Sequence, residues 1–181
     1  MNADPPSSPP LILVLGGMRS GKSRRAEDLV AASGLARVYL ATALAGDAEM
    51  TGRIAAHRRR RGNGWRTVEV PLGLPEAIRA ESRPDRILLV DCLTLWLTNL
   101  LTAEAEPAAA CERLEAALAA RRGPVVLVSN EVGLGVVPAD PLSRRFVDLA
   151  GELHRRLAAL ADRVELVVAG LPLVLKPSAT E

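Results

Sequence analysis

Residues 11–23 read LILVLGGMRSGKS, Leu11 to Ser23, and the order of features within them decides the fold. Leu11 to Gly16 is a short apolar run closed by glycine, the pattern of a strand buried on both faces in a parallel sheet. Gly16, Gly17, Met18, Arg19, Ser20, Gly21, Lys22 and Ser23 then satisfy G-x-x-x-x-G-K-[ST], and KSRRAEDLVAAS continues as an amphipathic helix stopped by Gly34. A phosphate-binding loop requires this context of strand, loop and helix. Its glycines let backbone N–H groups and the helix N-terminus face phosphate oxygens, Lys22 reaches the β- and γ-phosphates, and the Ser23 hydroxyl is placed to ligate Mg²⁺.

Moving outward, strand and helix alternate. ARVYLATA (36–43) reads as a strand, and Asp47 is expected to cap a helix from Ala48 to about Arg61. WRTVEVP is a third strand, Leu74 to Glu81 a short helix, and RILLVDC (86–92) an apolar strand with one acid near its end. TLWLTNLL and PAAACERLEAALAARR are helical, PVVLVSN (124–130) is a buried strand, and EVGLGVVPADP is a loop rich in turn residues. A long helix is expected over Leu142 to Arg163, with VELVVAG as the last parallel strand and LPLVLK as its edge partner. This alternation predicts an α/β fold: three layers, a mostly parallel sheet of about seven strands and helices on both faces. Ligands in such folds bind beyond the carboxyl ends of the strands, where the loops after Leu15, Thr42, Glu69, Asp91 and Val128 gather.

The 181 residues suit one domain, expected over 11–181 behind a disordered, proline-rich tail, MNADPPSSPP (1–10), that lacks the apolar core of a signal peptide. Aromatics make up only 2% of the chain, so Leu, Val, Ile and Ala must fill the core and base-stacking platforms for nucleic acid are not expected. The net charge of +2 makes the basic character local. Cys92 and Cys111 form no metal-ligand or redox spacing, which fits a reducing compartment. No segment is long and apolar enough to span a bilayer. A cytoplasmic protein that binds neither nucleic acid nor membrane is the expectation.

Several side chains gather where the strands end. Asp91 closes an apolar strand at the place where phosphate-loop proteins hold a Mg²⁺-orienting carboxylate, and Glu69 ends the neighbouring strand in the same way. Met50, Ile54 and His57 share one helix face, which points the imidazole at the protein body, and Arg58, Arg59, Arg60 and Arg61 wind round the helix end where some can meet polyphosphate. His154, alone in GELHRRLAAL, reads as a satisfied histidine on a charged helix.

Taken together and in order, GGMRSGKSRRAE, VYLATA, DAEMTGRIAAHRRRR, GWRTVE, VDCLTLWLTNLL and SNEVGLGVVP resemble the bifunctional adenosylcobinamide kinase / adenosylcobinamide-phosphate guanylyltransferase family of cobalamin biosynthesis. The resemblance runs from Leu11 to Lys176. It implies a RecA-like P-loop domain that phosphorylates the cobinamide side-chain hydroxyl with a nucleoside triphosphate, ATP or GTP, and then transfers GMP from GTP onto that phosphate. The guanylylated histidine of the family falls on His57. Nucleotide contacts are implied at Gly16 to Ser23, at Ala41, Thr42 and Ala43, at Arg58 to Arg61, and at Glu69 and Asp91. Asp91 serves either a metal, with Ser23, or a guanosine ribose. Small-molecule partners and a homotrimer are implied as well. Two other readings stay open on the residues alone: a monofunctional P-loop kinase of a small metabolite without covalent nucleotide, and a nucleotide-dependent switch or binding module.

Overall fold

The computed structural model describes residues 8–44 and 48–178, without the side chains of residues 48–51, 53, 54 and 60. Its elements in chain order are β1 (Leu11–Gly16), α1 (Lys22–Ala32), β2 (Ala36–Ala41), α2 (Ala48–Arg61), β3 (Trp65–Glu69), α3 (Leu74–Glu81), β4 (Arg86–Asp91), α4 (Leu93–Thr102), α5 (Pro107–Ala119), β5 (Val125–Asn130), α6 (Pro141–Leu160), β6 (Arg163–Val168) and β7 (Leu171–Lys176). The strands form one seven-stranded sheet in the order β3-β2-β4-β5-β1-β6-β7. All neighbours are parallel except β6 and β7, an antiparallel edge pair. The expected three-layer α/β architecture is therefore present.

Strand side chains alternate between the faces, and that alternation sorts the core into two clusters. Leu11, Leu13, Leu40, Leu88, Val90, Val125 and Leu127 point to the side covered by α3, α4, α5 and α6, where Trp96 is the bulkiest fully buried side chain. Val14, Tyr39, Ile87, Leu89, Val126 and Val128 point to the other side, against Ala26 and Val30 of α1. By the same period, Ala41, Glu69 and Asp91 lie on the α1 face at the carboxyl edge, and Ala41 stands directly between Glu69 and Asp91 in register. The sheet itself assembles the site's edge.

Two expectations shift. Helix α6 stops at Leu160 rather than Arg163: Ala161 turns extended, and Asp162 accepts the Leu11 backbone N–H at 2.7 Å and an Arg121 N–H at 3.0 Å. Periodicity cannot foresee a stop imposed by partners far along the chain. Pro9 and Pro10, expected in the tail, are tied to the domain, their carbonyls accepting from Arg121 Nε at 2.6 Å and Val125 N at 2.9 Å. The rest of the expected tail, residues 1–7, and the expected cap at Asp47 lie outside the described residues.

Strand β7 is exposed along its length, including Leu171, Leu173, Val174 and Leu175. Its last residue reaches back over the end of α6, where the Lys176 ammonium donates to the carbonyls of Ala158, Ala159 and Ala161, groups that a helix C-terminus leaves unpaired.

Candidate active site

The loop between β1 and α1 closes on tight geometry. Gly21, the residue before α1, has φ of 97°, a conformation that L side chains rarely adopt. Gly16 is required for a different reason: a Cβ there would stand 2.4 Å from the Ser20 hydroxyl oxygen and 2.7 Å from the Val167 carbonyl. The Gly170 N–H donates to the Ser20 carbonyl at 2.8 Å, so the β6–β7 turn braces the loop from behind. Met18 and Arg19 at its crest are exposed, and Arg19 has φ of 57°.

Lys22 is buried although it carries an ammonium group, and Nζ donates to the Gly17 carbonyl at 3.1 Å. Burial lowers its pKa, while the nearby Cys92 and Asp91 act in the opposite direction. Asp91 is its counter-charge across the edge. Burial raises the pKa of the Asp91 carboxyl, opposed by hydrogen bonds from the hydroxyls of Ser23 and Tyr39 and by the positive potential of His57 and Lys22. The half-buried His57, on α2, thus belongs to the same electrostatic neighbourhood as the loop lysine.

Ser23 and Asp91 together offer a hydroxyl and a carboxylate. Hard oxygen donors of this kind suit Mg²⁺, which keeps water and substrate phosphate in most of its shell. No cluster of three or more His, Cys, Asp or Glu forms among the described residues, so this pair fits a cation delivered with a nucleotide rather than one held in a protein cage.

The remaining sequence candidates divide. Ala41 sits at the edge and Glu69 is exposed beside it; Ala43 is half-buried; Arg58 and Arg59 are exposed. Nothing is described of the Arg60 side chain. Thr42, expected among the nucleotide contacts, departs in the placement of its side chain. It is fully buried, its hydroxyl donates to the Cys92 carbonyl and accepts the Cys92 N–H, both at 2.8 Å, and so it fastens the β2 and β4 loop ends together. Arg61 departs as well. Its guanidinium carbon lies 3.3 Å from the centre of the Tyr39 ring and 5.9 Å from that of Trp65, turned inward rather than presented to polyphosphate.

Helix α4 carries residues that the spacing alone did not single out. Asn99 donates to the carbonyls of Thr42 at 2.8 Å and Pro71 at 2.9 Å, and Trp96 Nε1 donates to the Leu72 carbonyl at 2.8 Å. Thr94 accepts from Asn130 Nδ2 at 2.9 Å. TLWLTN is therefore a brace for the loops after β2 and β3 and for the end of β5. Tyr39 was also missed, and the available signal was its place two residues before Ala41, on the face that carries Asp91. His154 is satisfied as expected and also buried, with Nε2 at 2.7 Å from the buried Ser129 hydroxyl and Nδ1 at 3.8 Å from Glu131.

The family model described as cobinamide kinase / cobinamide phosphate guanyltransferase matches residues 12–175. The bifunctional adenosylcobalamin biosynthesis protein CobP of Pseudomonas aeruginosa is 57% identical over 166 residues, covering 91% of this chain and 96% of its own length. The corresponding CobU proteins of Escherichia coli and Salmonella typhimurium are 42% and 44% identical, each over 92% of this chain and 99% of their own. Among solved structures, a prototypical ATPase from the type III secretion system of pathogenic bacteria superposes with a TM-score of 0.52 at 11% identity, over 91% of this chain and 56% of that one. A Pyrococcus horikoshii protein gives 0.53 at 13% identity, over 93% and 86%. At those identities the structural likeness speaks to the fold alone, a mostly parallel α/β sheet covered by helices.

Proposed function

The chain belongs to the cobinamide kinase / cobinamide phosphate guanyltransferase family, and from that premise we propose that this one domain performs both reactions at the carboxyl edge of its sheet. In the first, the cobinamide side-chain hydroxyl oxygen attacks the γ-phosphorus of ATP or GTP, the bridging P–O bond breaks, and a nucleoside diphosphate leaves. In the second, an imidazole nitrogen of His57 attacks the α-phosphorus of GTP and pyrophosphate leaves. The corrinoid phosphate oxygen then attacks the same phosphorus, the P–N bond breaks and His57 is regenerated. The product is adenosylcobinamide-GDP. Splitting the transfer through nitrogen replaces one difficult displacement with two easier ones.

The observation that carries this reading is the convergence of the phosphate loop, Asp91 and His57 within one electrostatic neighbourhood. In it, the backbone from Gly16 to Ser23 cradles phosphates, Lys22 meets charge developing on the transferred group, and Arg58 and Arg59 offer exposed cations near His57. Ser23 and Asp91 would hold Mg²⁺, whose contribution when bound is to neutralise phosphate charge. Kinase catalysis then needs little covalent work from the protein beyond placing the hydroxyl in line.

The same reading puts the enzyme in the cytoplasm, with no helix among the described residues long and apolar enough to cross a membrane and with both cysteines buried and free. It also includes association into a homotrimer, for which the exposed apolar edge strand β7 offers surface. Purified protein supplied with adenosylcobinamide, ATP, GTP and Mg²⁺ is expected to form adenosylcobinamide-GDP, and Lys22→Ala to lower the phosphorylation rate at least about a hundredfold. Phosphorylated corrinoid without any guanylylated product would reduce the protein to a monofunctional kinase.

A further inference from the structure

We propose that Tyr39 is a positioning residue with two separable duties: its ring holds the helix that carries His57, and its hydroxyl orients Asp91 beside the phosphate loop. Three observations meet at this side chain. It is the only tyrosine of the chain, buried on β2 at 7% exposure in a protein with almost no aromatic residues. On its ring face lies the guanidinium of Arg61, the last residue of α2, at 3.3 Å from the ring centre. At its other end the hydroxyl donates to the Asp91 carboxylate, which the Ser23 hydroxyl also reaches.

The stacking is more than proximity. Arg61 Nε and Nη1 are buried with no hydrogen-bond partner, an arrangement that normally costs free energy unless the donors face something electron-rich. The Tyr39 ring supplies that face, and Trp65, edge-on to Tyr39 with centroids 6.1 Å apart, closes the far side. Arginine suits such a slot because its plane stacks and its charge never leaves. His57 sits one turn before Arg61 on α2, so a helix anchored at Arg61 has its imidazole fixed in height and rotation over the edge. Asp91, for its part, has a free rotation about its side chain that two hydroxyl donors remove. One residue thereby sets the relative placement of the nucleophile and the carboxylate.

The duties separate by substitution. Tyr39→Phe keeps the ring and deletes the hydroxyl; Tyr39→Leu deletes both; Arg61→Gln keeps Tyr39 and deletes the stacked cation. For each full-length variant, amide hydrogen exchange over 48–61 is measured without nucleotide, and covalent labelling by GTP labelled in its α-phosphate is followed across a Mg²⁺ series. Arg61→Gln and Tyr39→Leu are expected to speed exchange over α2 and slow labelling, each about tenfold, with exchange of β1 and α1 unchanged. Tyr39→Phe is expected to leave α2 exchange at the wild-type level while raising the Mg²⁺ needed for half-maximal labelling about threefold or more. Unchanged α2 exchange in both Arg61→Gln and Tyr39→Leu overturns the anchoring role, and an unchanged Mg²⁺ requirement in Tyr39→Phe overturns the orienting role. The labelling arm rests on the His57 reading above; wild-type protein that binds GTP and takes no label refutes that reading and with it the orienting role, whereas the exchange arm still decides the anchor.

Discussion

At the scale of single residues, burial decides what a titratable side chain does. Lys22, Asp91 and His154 are all enclosed to some degree, yet only the first two lie beside the phosphate loop, each acting on the other's charge. His154 instead faces the Ser129 hydroxyl, and burial lowers its pKa against the weaker opposing effect of Glu131. A histidine whose folded pKa lies below its unfolded value, about 6.5, favours the folded state in its neutral form, so its contribution is complete above that pH and declines as the solution is acidified through the window below it. The thermal midpoint of His154→Gln, which keeps a polar partner for Ser129 but does not titrate there, should therefore fall less than wild type between about pH 7.5 and 5.5. Parallel losses in the two proteins would remove His154 as a source of the acid sensitivity. Two of the cations singled out by sequence behave alike in composition and differently in place: Arg59 is exposed and Arg61 is stacked on Tyr39. Nothing local to RRRR distinguishes them, because the partner ring comes from another strand.

At the scale of elements, the buried strands were legible from apolar runs closed by Gly, Asp or Asn, and the phosphate loop from its spacing between strand and helix. What spacing could not supply was the set of long-range fastenings. The stop of α6 at Leu160 traces to Asp162 and its distant partners, and the α4 brace depends on Asn99 meeting carbonyls from two other loops. Helix α1 has a fastening of the same kind. Arg25 makes two hydrogen bonds of 2.8 Å to the fully buried Glu165 of β6, which Arg163 also contacts at 2.9 Å. Glu165 has its pKa lowered by the Arg25 hydrogen bond foremost, so its stabilising contribution is present at neutral pH and lost only in acid. Neutralising it leaves two guanidinium groups without their counter-charge. Glu165→Gln should lower stability by about 2 kcal/mol in denaturant unfolding at neutral pH, with the deficit narrowing under acidic conditions as the wild-type carboxylate protonates. A loss below about 0.5 kcal/mol would mean that the cluster is not what holds α1 against β6.

At the scale of the molecule, a single parallel edge gathers the ends of β1, β2, β3 and β4, together with the helix that follows β2. The proposed pair of group transfers needs a common place for phosphate, metal and nucleophile, and such an edge offers one, since every loop that could contribute leaves the sheet in the same direction. The placement of His57 is the part of this account that most depends on tertiary structure: its helix spacing pointed it at the protein body, and only the assembled edge brings it near Asp91. The most direct test of the central claim is to incubate wild-type protein and His57→Ala with Mg²⁺ and GTP labelled in the α-phosphate. Acid-labile, base-stable label on the wild type and none on the variant is the predicted result; equal label on both, or none on a wild type that still binds GTP, would contradict it.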